Sequence, residues 1–139
     1  MSERQNLPKI TIGAADLERL SNLAEGARHA HPEIAEYLAR ELARASIAET
    51  DSVTARIGMG SHVEYRDEDT GQIRSIQLVY PAEADPGRGR ISVLTPIGAA
   101  LIGLSEGQSI EWNAHSGAPR TLTVLKVRRA ETLDLAAAH

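Results

Sequence analysis

The spacing of apolar residues changes partway along the chain, and this change constrains the fold more than any other feature. Up to residue 48 the apolar residues recur with the period of an amphipathic helix, whereas from Ile57 onward they alternate with polar residues, as in half-buried strands. Helices followed by strands are typical of an α+β protein. We therefore predict a helical amino-terminal unit, residues 1–48, and a β-rich unit, residues 49–139.

Two short helices are predicted in the amino-terminal unit. Leucines from Leu17 to Leu23 give the first helix an apolar face, and Gly26 stands where a left-handed C-cap residue is expected. Pro32 indicates the start of the second helix, which is expected to run for roughly seventeen residues, since proline is tolerated at the first helical position. A connection of about five residues makes the helices antiparallel neighbours. The unit is thus predicted to be a short α-hairpin that reaches about 18–25 Å.

The β-rich unit is predicted to be a small antiparallel domain with one short helix. Residues 62–65 and 73–80 alternate around a turn-rich acidic loop, which predicts a β-hairpin. Thr95 followed by Pro96 is a helix-start signature of a cap and then proline at the first helical position. Gly98 and the two alanines after it keep this helix thin enough to lie close against a sheet. Further strands are predicted around residues 91–93, 109–112 and 122–127.

Charge and composition limit the partners of the chain. Lys and Arg total 15 against 19 Asp and Glu, and the cations are scattered, whereas gripping a nucleic-acid backbone requires a basic patch. We therefore expect a protein partner, with nucleic acid reached only indirectly; a surface that binds nothing by electrostatics is the alternative. The absence of Cys, of a secretory signal and of a membrane-length apolar run predicts a cytoplasmic protein with no membrane contact. Oligomeric state stays open.

No catalytic or metal-binding constellation emerges from the sequence. Asp67, Glu68 and Asp69 share one turn, but an EF-hand loop counted from Asp67 would need a glutamate where Leu78 stands, so a solvated hairpin loop is expected. The five histidines have no zinc-ligand spacing, and no nucleophile elbow occurs. We expect no metal, no cofactor and no enzymatic activity.

The tract from Ile91 to Trp112 carries Leu-Thr-Pro, then Gly-Ala-Ala-Leu-Ile-Gly, then Glu-Gly-Gln before a strand. It resembles the carboxy-terminal domain of the GreA/GreB transcript cleavage factors, where a strand leads into Ser-Pro, then Gly-x-Ala-Leu-x-Gly, then Gly-Asp and a strand. Through residues 78–82 and 96–101, the chain is still more similar to the Rnk family, regulators of nucleoside diphosphate kinase that join a small helical hairpin to such a domain. The resemblance spans about residues 10–128 and implies an FKBP-like fold for the carboxy-terminal half.

Resemblance to Gre factors implies a protein that binds RNA polymerase. Gre factors dock their globular domain on the rim of the polymerase's secondary channel and send a coiled coil down it, whose tip carries an Asp-x-x-Glu pair that helps to hold a second Mg²⁺ for transcript cleavage. The corresponding tip here carries Arg28, His29 and His31 and no carboxylate, and the hairpin is short. We therefore expect a transcription regulator that occupies the channel rim without stimulating cleavage and competes with Gre factors.

The polymerase contact is expected at Leu94, Thr95, Pro96 and Ile97. In Gre factors, an Asp-Ser-Pro turn before the short helix is part of that contact, and the matching positions here begin with Leu94. Because leucine replaces the acid, an apolar contact would take the place of a charge-assisted one. The alternative is that Leu94 and Ile97 simply pack in the core.

Two other functions stay open. An FKBP-like fold suggests a peptidyl-prolyl isomerase, although Tyr65, Tyr80 and Trp112 supply few aromatic side chains for its cleft. The name of the Rnk family suggests an effect on nucleoside diphosphate kinase. Since the sequence has no phosphate cradle, we expect any such effect to act indirectly, through gene expression.

Overall fold

The computed structural model describes residues 8–48, 56–113 and 119–128, and it has a mixed α+β fold with the helices first. The amino-terminal elements are β1 (Thr11–Gly13), α1 (Ala14–Gly26), α2 (Pro32–Arg44) and β2 (Ser46–Ala48). The later elements are β3 (His62–Asp67), β4 (Ile73–Val79), β5 (Arg90–Ser92), α3 (Pro96–Leu101), β6 (Ser109–Asn113) and β7 (Pro119–Arg128). Two short 3-10 turns, Pro81–Glu83 and Pro86–Arg88, connect β4 to β5.

Helix α1 ends without a left-handed residue. Gly26 is its last helical residue and the C-cap is Ala27, whose φ is −91°. The Ala27 N–H donates to the Leu23 carbonyl at 3.0 Å, so the last turn closes with ordinary helical geometry. The prediction of a left-handed C-cap at Gly26 is therefore wrong.

Helix α2 is shorter than its sequence pattern suggests. It begins at Pro32, as predicted, but spans 13 residues and ends at Arg44. The Ser46 N–H donates to the Ile10 carbonyl at 3.0 Å, and β2 then pairs with β1 in parallel. This pairing ends the helix although the apolar spacing continues, so the prediction of a seventeen-residue helix is wrong. Helices α1 and α2, of 13 residues each, are about 20 Å long.

The main sheet has five strands in the order β5-β4-β3-β7-β6. The predicted β3–β4 hairpin is confirmed, with His62 opposite Gln77. However, β5 lies parallel to β4, with Val79 opposite Ser92, so the prediction of a wholly antiparallel domain is wrong. The two 3-10 turns return the chain to the level of Gln77, where Arg90 begins β5, so β5 runs in the same direction as β4. The FKBP-like character stays a prediction.

One apolar core joins the helices to the sheet. Its buried side chains come from β1, α1, α2, the inner face of the sheet and α3, and include Ile10, Leu20, Leu38, Leu101 and Val124. The predicted division at residue 48 stays a prediction, since residues 49–55 lie outside the described part of the chain. Within the described ranges, no helix is long and apolar enough to cross a membrane.

Candidate functional site

The turn before α3 is organised around Ser92. Its hydroxyl oxygen accepts from the Leu94 N–H at 2.9 Å, and its carbonyl accepts from the Thr95 hydroxyl at 2.8 Å. The Thr95 oxygen in turn accepts from the Gly98 N–H at 3.1 Å and so caps α3, with Pro96 at the first helical position. The predicted helix start is confirmed. Because the Thr95 hydroxyl donates its hydrogen inside the turn, it has none left to donate to a partner.

The structure brings the four predicted contact residues together in this turn. Leu94, Thr95, Pro96 and Ile97 are all partly buried, and both Leu94 and Ile97 pack against the core. Each of these two apolar side chains therefore contributes to the core and keeps an exposed portion. The turn presents a small surface that is largely apolar.

Because Gly98 has no side chain, the backbone of Ser92 and Val93 can pack directly against the first helical turn of α3. A Cβ atom at this position would be 2.2 Å from the Ser92 carbonyl oxygen and 2.9 Å from the Val93 Cα. The sequence indicated a thin helix here. It did not identify Ser92 as the residue that organises the turn, because a serine at a strand end has no distinctive spacing; its position three residues before a Thr-Pro cap is the only available signal.

The connection between α1 and α2 forms a compact turn, the tip of this part of the protein. The Ala27 carbonyl accepts from the His31 N–H at 2.8 Å, which closes the turn. Arg28, His29 and His31 are exposed, and Arg28 pairs with Glu25 at 3.3 Å on the surface. Residues 27–31 contain no carboxylate, so the tip offers no pair of acidic side chains to a metal ion.

Helix α1 is anchored to the sheet beside the Ser92 turn. The Arg19 guanidinium lies 4.2 Å from the centre of the Tyr80 ring, and the Asp16 carboxylate accepts from the Met59 N–H at 3.3 Å. Burial and then the charge of Asp16 raise the pKa of the Tyr80 hydroxyl. Tyr80 directly follows β4, whose last residue pairs with Ser92, so one strand end supports both α1 and the turn.

The three acids where β3 ends and the loop to β4 begins bind strand β7. Asp67 pairs with Arg120, Asp69 accepts from the Thr121 N–H at 3.0 Å, and Glu68 accepts from a threonine hydroxyl of β7. Among residues 8–48, 56–113 and 119–128, no three His, Asp or Glu side chains converge as metal ligands. The loop therefore fastens β3 to β7 through hydrogen bonds.

We predict that Asp67 gives the protein an acid-sensitive stability. Burial of its carboxyl opposes ionisation, but hydrogen bonds from Arg120 and the Asp69 N–H outweigh that effect and hold the pKa of Asp67 below its usual range. A lowered folded-state pKa stabilises the protein above the unfolded value of about 3.9, and this contribution is lost as pH falls through the folded pKa. Asp67→Asn should lower the melting temperature at neutral pH and flatten its fall in acid. If the melting temperatures of the two proteins fell by the same amount between neutral and strongly acidic pH, this prediction would be wrong.

The aromatic side chains of the β-rich unit do not assemble a cleft in the described part of the chain. Tyr65 is buried, Tyr80 lies under Arg19, and Trp112 is half-buried against the core. The isomerase alternative gains no support from this arrangement.

Comparison with known proteins agrees with this geometry. Residues 8–47 match the Rnk N-terminus family model, and residues 52–129 match that of the GreA/GreB transcription elongation factor carboxy-terminal domain. The regulator of nucleoside diphosphate kinase of Escherichia coli K12 is 36% identical over 121 residues, which cover 86% of this chain and 89% of that protein. Transcription elongation factor GreA of Brucella canis is 36% identical over 124 residues, covering 83% and 79% of the two chains.

A solved structure extends the match to the fold. The GreA/GreB transcription elongation factor from Nitrosomonas europaea superposes with a TM-score of 0.67 and 35% identity, covering 86% of this chain and 98% of that one. The family model that matches the amino-terminal part is that of Rnk, and the one that matches the carboxy-terminal part is that of GreA and GreB. The chain therefore belongs to the Rnk family of GreA/GreB-type transcription regulators.

Proposed function

We propose that this protein binds RNA polymerase at the rim of its secondary channel, through the turn at residues 94–97, and competes there with Gre factors without stimulating transcript cleavage. Membership of the GreA/GreB group supports the partner. The observation that carries the non-cleaving character is the tip between α1 and α2. There, Arg28, His29 and His31 are exposed and no carboxylate is present.

The chemistry of the tip opposes metal-assisted cleavage. Mg²⁺ takes hard oxygen ligands and usually needs one or two carboxylates in addition to the substrate's phosphate oxygens. An arginine guanidinium offers only N–H donors, and its positive charge repels a divalent cation. Glu25 and Glu33, the acids nearest to the tip, lie within α1 and α2. A second Mg²⁺ would therefore find no adequate ligand set in the turn.

The length of the helices supports the same conclusion. Each of α1 and α2 has 13 residues and extends about 20 Å, which gives the hairpin a limited reach beyond the body of the protein. A factor that docks at the rim with a probe of this length occupies the entrance. It blocks longer factors by excluding them from the shared docking surface.

The decisive experiment uses backtracked elongation complexes with labelled RNA. We expect the full chain to release no short 3′ fragments above the rate of polymerase alone. Added in excess, it should slow the cleavage that GreA stimulates in the same complexes, because both proteins would compete for one rim. Fragment release by this protein would contradict the non-cleaving proposal. Failure to slow GreA, together with failure to co-elute with core polymerase, would contradict docking.

A substitution in the turn tests the docking residues. Leu94→Arg should weaken polymerase binding at least about tenfold, since a charge placed in a small apolar contact must be desolvated. The fold should persist, because Leu94 already has an exposed portion. Affinity for core polymerase can be measured by biolayer interferometry, and folding by circular dichroism.

Ile73→Arg is the matched control for this substitution. Ile73 is 55% exposed and begins β4, a seven-residue strand whose other end supports the turn, so the two sites are separated by about 20 Å. The control should keep wild-type affinity. If Leu94→Arg also keeps it, Leu94 does not belong to the docking surface.

A further inference from the structure

A groove of about 240 Å³ lies on the outer face of the main sheet. Its lining includes His62 and Glu64 of β3, Gln77 of β4, and Lys126 and Arg128 of β7. These positions alternate along their strands with buried residues, so their side chains lie on the face turned away from the core. The groove shares no residue with the turn at residues 94–97, and it does not depend on the docking proposed there.

Strand register concentrates positive charge in this groove. Arg128 lies opposite His62 and Lys126 lies opposite Glu64, while Arg88 lines one side from the turn before β5. Lys126 and Arg128 therefore face one carboxylate, Glu64, while Arg88 pairs with Asp85 at 3.7 Å, so the groove is net positive although the whole chain has a net charge of −4. Lys126 and Arg128 are two positions apart in the sequence, but only the pairing of β3 with β7 brings His62 and Glu64 beside them, so the sequence alone did not predict the groove.

The cations of β7 are available to bind a ligand. Lys126 and Arg128 are both exposed, and no carboxylate among the described residues lies within ion-pair distance of either. Being two residues apart on one strand, they project from the same face with a spacing of about 6.5 Å. Two acidic side chains at alternate positions of an extended peptide have the same spacing.

We infer that this groove binds an extended segment of a partner protein that carries two acidic side chains at alternate positions. Lys126 and Arg128 each pair with one carboxylate. Peptide N–H groups or hydroxyls between the acids face Glu64 and Gln77, which supply hydrogen-bond acceptors. Arg88 is exposed at the side of the groove, where Asp85, at 3.7 Å, partly offsets its charge.

The carboxylate in the groove favours an acidic peptide over a nucleic acid. A phosphate backbone carries a negative charge on every nucleotide and would set one of them against Glu64, in a protein that is itself negatively charged overall. A peptide can alternate acids with neutral residues, so that its charges meet only the cations. The mixed lining thus matches a patterned protein segment.

The test is a titration of the ¹⁵N-labelled full chain followed by nuclear magnetic resonance, with three probes. One is a peptide of alternating Glu and Ser, the second is the same peptide with Gln for Glu, and the third is a single-stranded RNA of similar length. We expect the Glu peptide to shift the amide signals of β3, β4 and β7 around the groove. It should bind at least about tenfold more tightly than the Gln peptide and weaken as salt is added.

Two double variants separate the groove from bulk charge. Lys126→Glu with Arg128→Glu should lower affinity for the Glu peptide at least about tenfold, since two attractions become repulsions. Arg40→Glu with Arg74→Glu changes net charge equally at exposed positions outside the groove, and should bind like the wild type. If the groove variant fails to fold, Lys126→Gln with Arg128→Gln takes its place and should still lose affinity.

Three outcomes would overturn the inference. Equal binding of the Glu and Gln peptides would show that the carboxylates are not recognised. An equal loss in the control variant would assign binding to overall charge. Tighter binding of the RNA, with the same dependence on Lys126 and Arg128, would identify a nucleic-acid site in place of a peptide site.

Discussion

Replacing Gly103 by alanine should lower the free energy of unfolding by about 2–4 kcal/mol, because two costs add at this position. Its φ is +84°, a left-handed conformation that L-residues adopt at a cost of roughly 1–2 kcal/mol. A Cβ would also lie 2.8 Å from the Cβ of Ile10 and 3.3 Å from Cγ1 of Ile12, both of which are fully buried. Urea unfolding followed by circular dichroism measures the loss.

Gly107→Ala separates these two costs. Gly107 has a similar φ of +90°, but a Cβ there meets nothing within 4 Å. This variant should therefore lose only the conformational part, about 1–2 kcal/mol. A Gly103 variant that is no less stable than the Gly107 variant would show that the close contacts with Ile10 and Ile12 are relaxed at little cost.

Gly98→Ala should be destabilising by about 3 kcal/mol and should also disrupt the turn proposed for docking. The new Cβ would lie 2.2 Å from the Ser92 carbonyl oxygen, 2.9 Å from the Val93 Cα and 3.0 Å from the Ser92 carbonyl carbon. All three are backbone atoms, which cannot rotate away as a side chain can. Moving Ser92 breaks the hydrogen bond that its carbonyl accepts from the Thr95 hydroxyl. Urea unfolding gives the stability, and co-elution with core polymerase gives the functional effect.

The matched control is Gly26→Ala at the end of α1. A Cβ at Gly26 meets nothing within 4 Å, and alanine has the better helix propensity by about 1 kcal/mol within a helix. This variant should be as stable as the wild type or slightly more stable. Equal losses in the two variants would mean that the overlap at Ser92 is not the cause of the instability.

Local patterns predicted the elements that local chemistry determines. Pro32 and Thr95-Pro96 located two helix starts, since proline and a capping hydroxyl act within their own turn. Alternation located the β3–β4 hairpin for the same reason. Strand β2 was missed because its pairing with β1 joins residues 35 positions apart, as in Thr11 opposite Ser46, and three residues carry no readable period.

The two candidate surfaces, the turn at residues 94–97 and the groove on the main sheet, also differ in how far the sequence predicted them. The residues of the turn at 94–97 were predicted from a contiguous tract, whereas Arg19 and Tyr80 come close to that tract only through the pairing of β5 with β4 and the packing of α1. The cationic groove is the clearest case. The sequence places Lys126 and Arg128 close together, but strand register brings the other lining residues beside them, so the groove itself was not predicted. Whether the turn and the tip perform the proposed roles stays a prediction for the polymerase experiments.

The parallel pairing of β1 with β2 ties together the two ends of the segment that contains α1 and α2. Thr11 and Ser46 are neighbours in this pair, so the chain enters and leaves the helices at one point on the body of the protein. Equal insertions into both helices, in steps of about two turns, would leave that junction and the core beneath it unchanged. The length of α1 and α2 can therefore change in evolution without changes to the core or the main sheet. Grafting a longer, acid-tipped pair of helices onto the same junction would test whether the proposed occupant of the channel entrance can be converted into a cleavage factor.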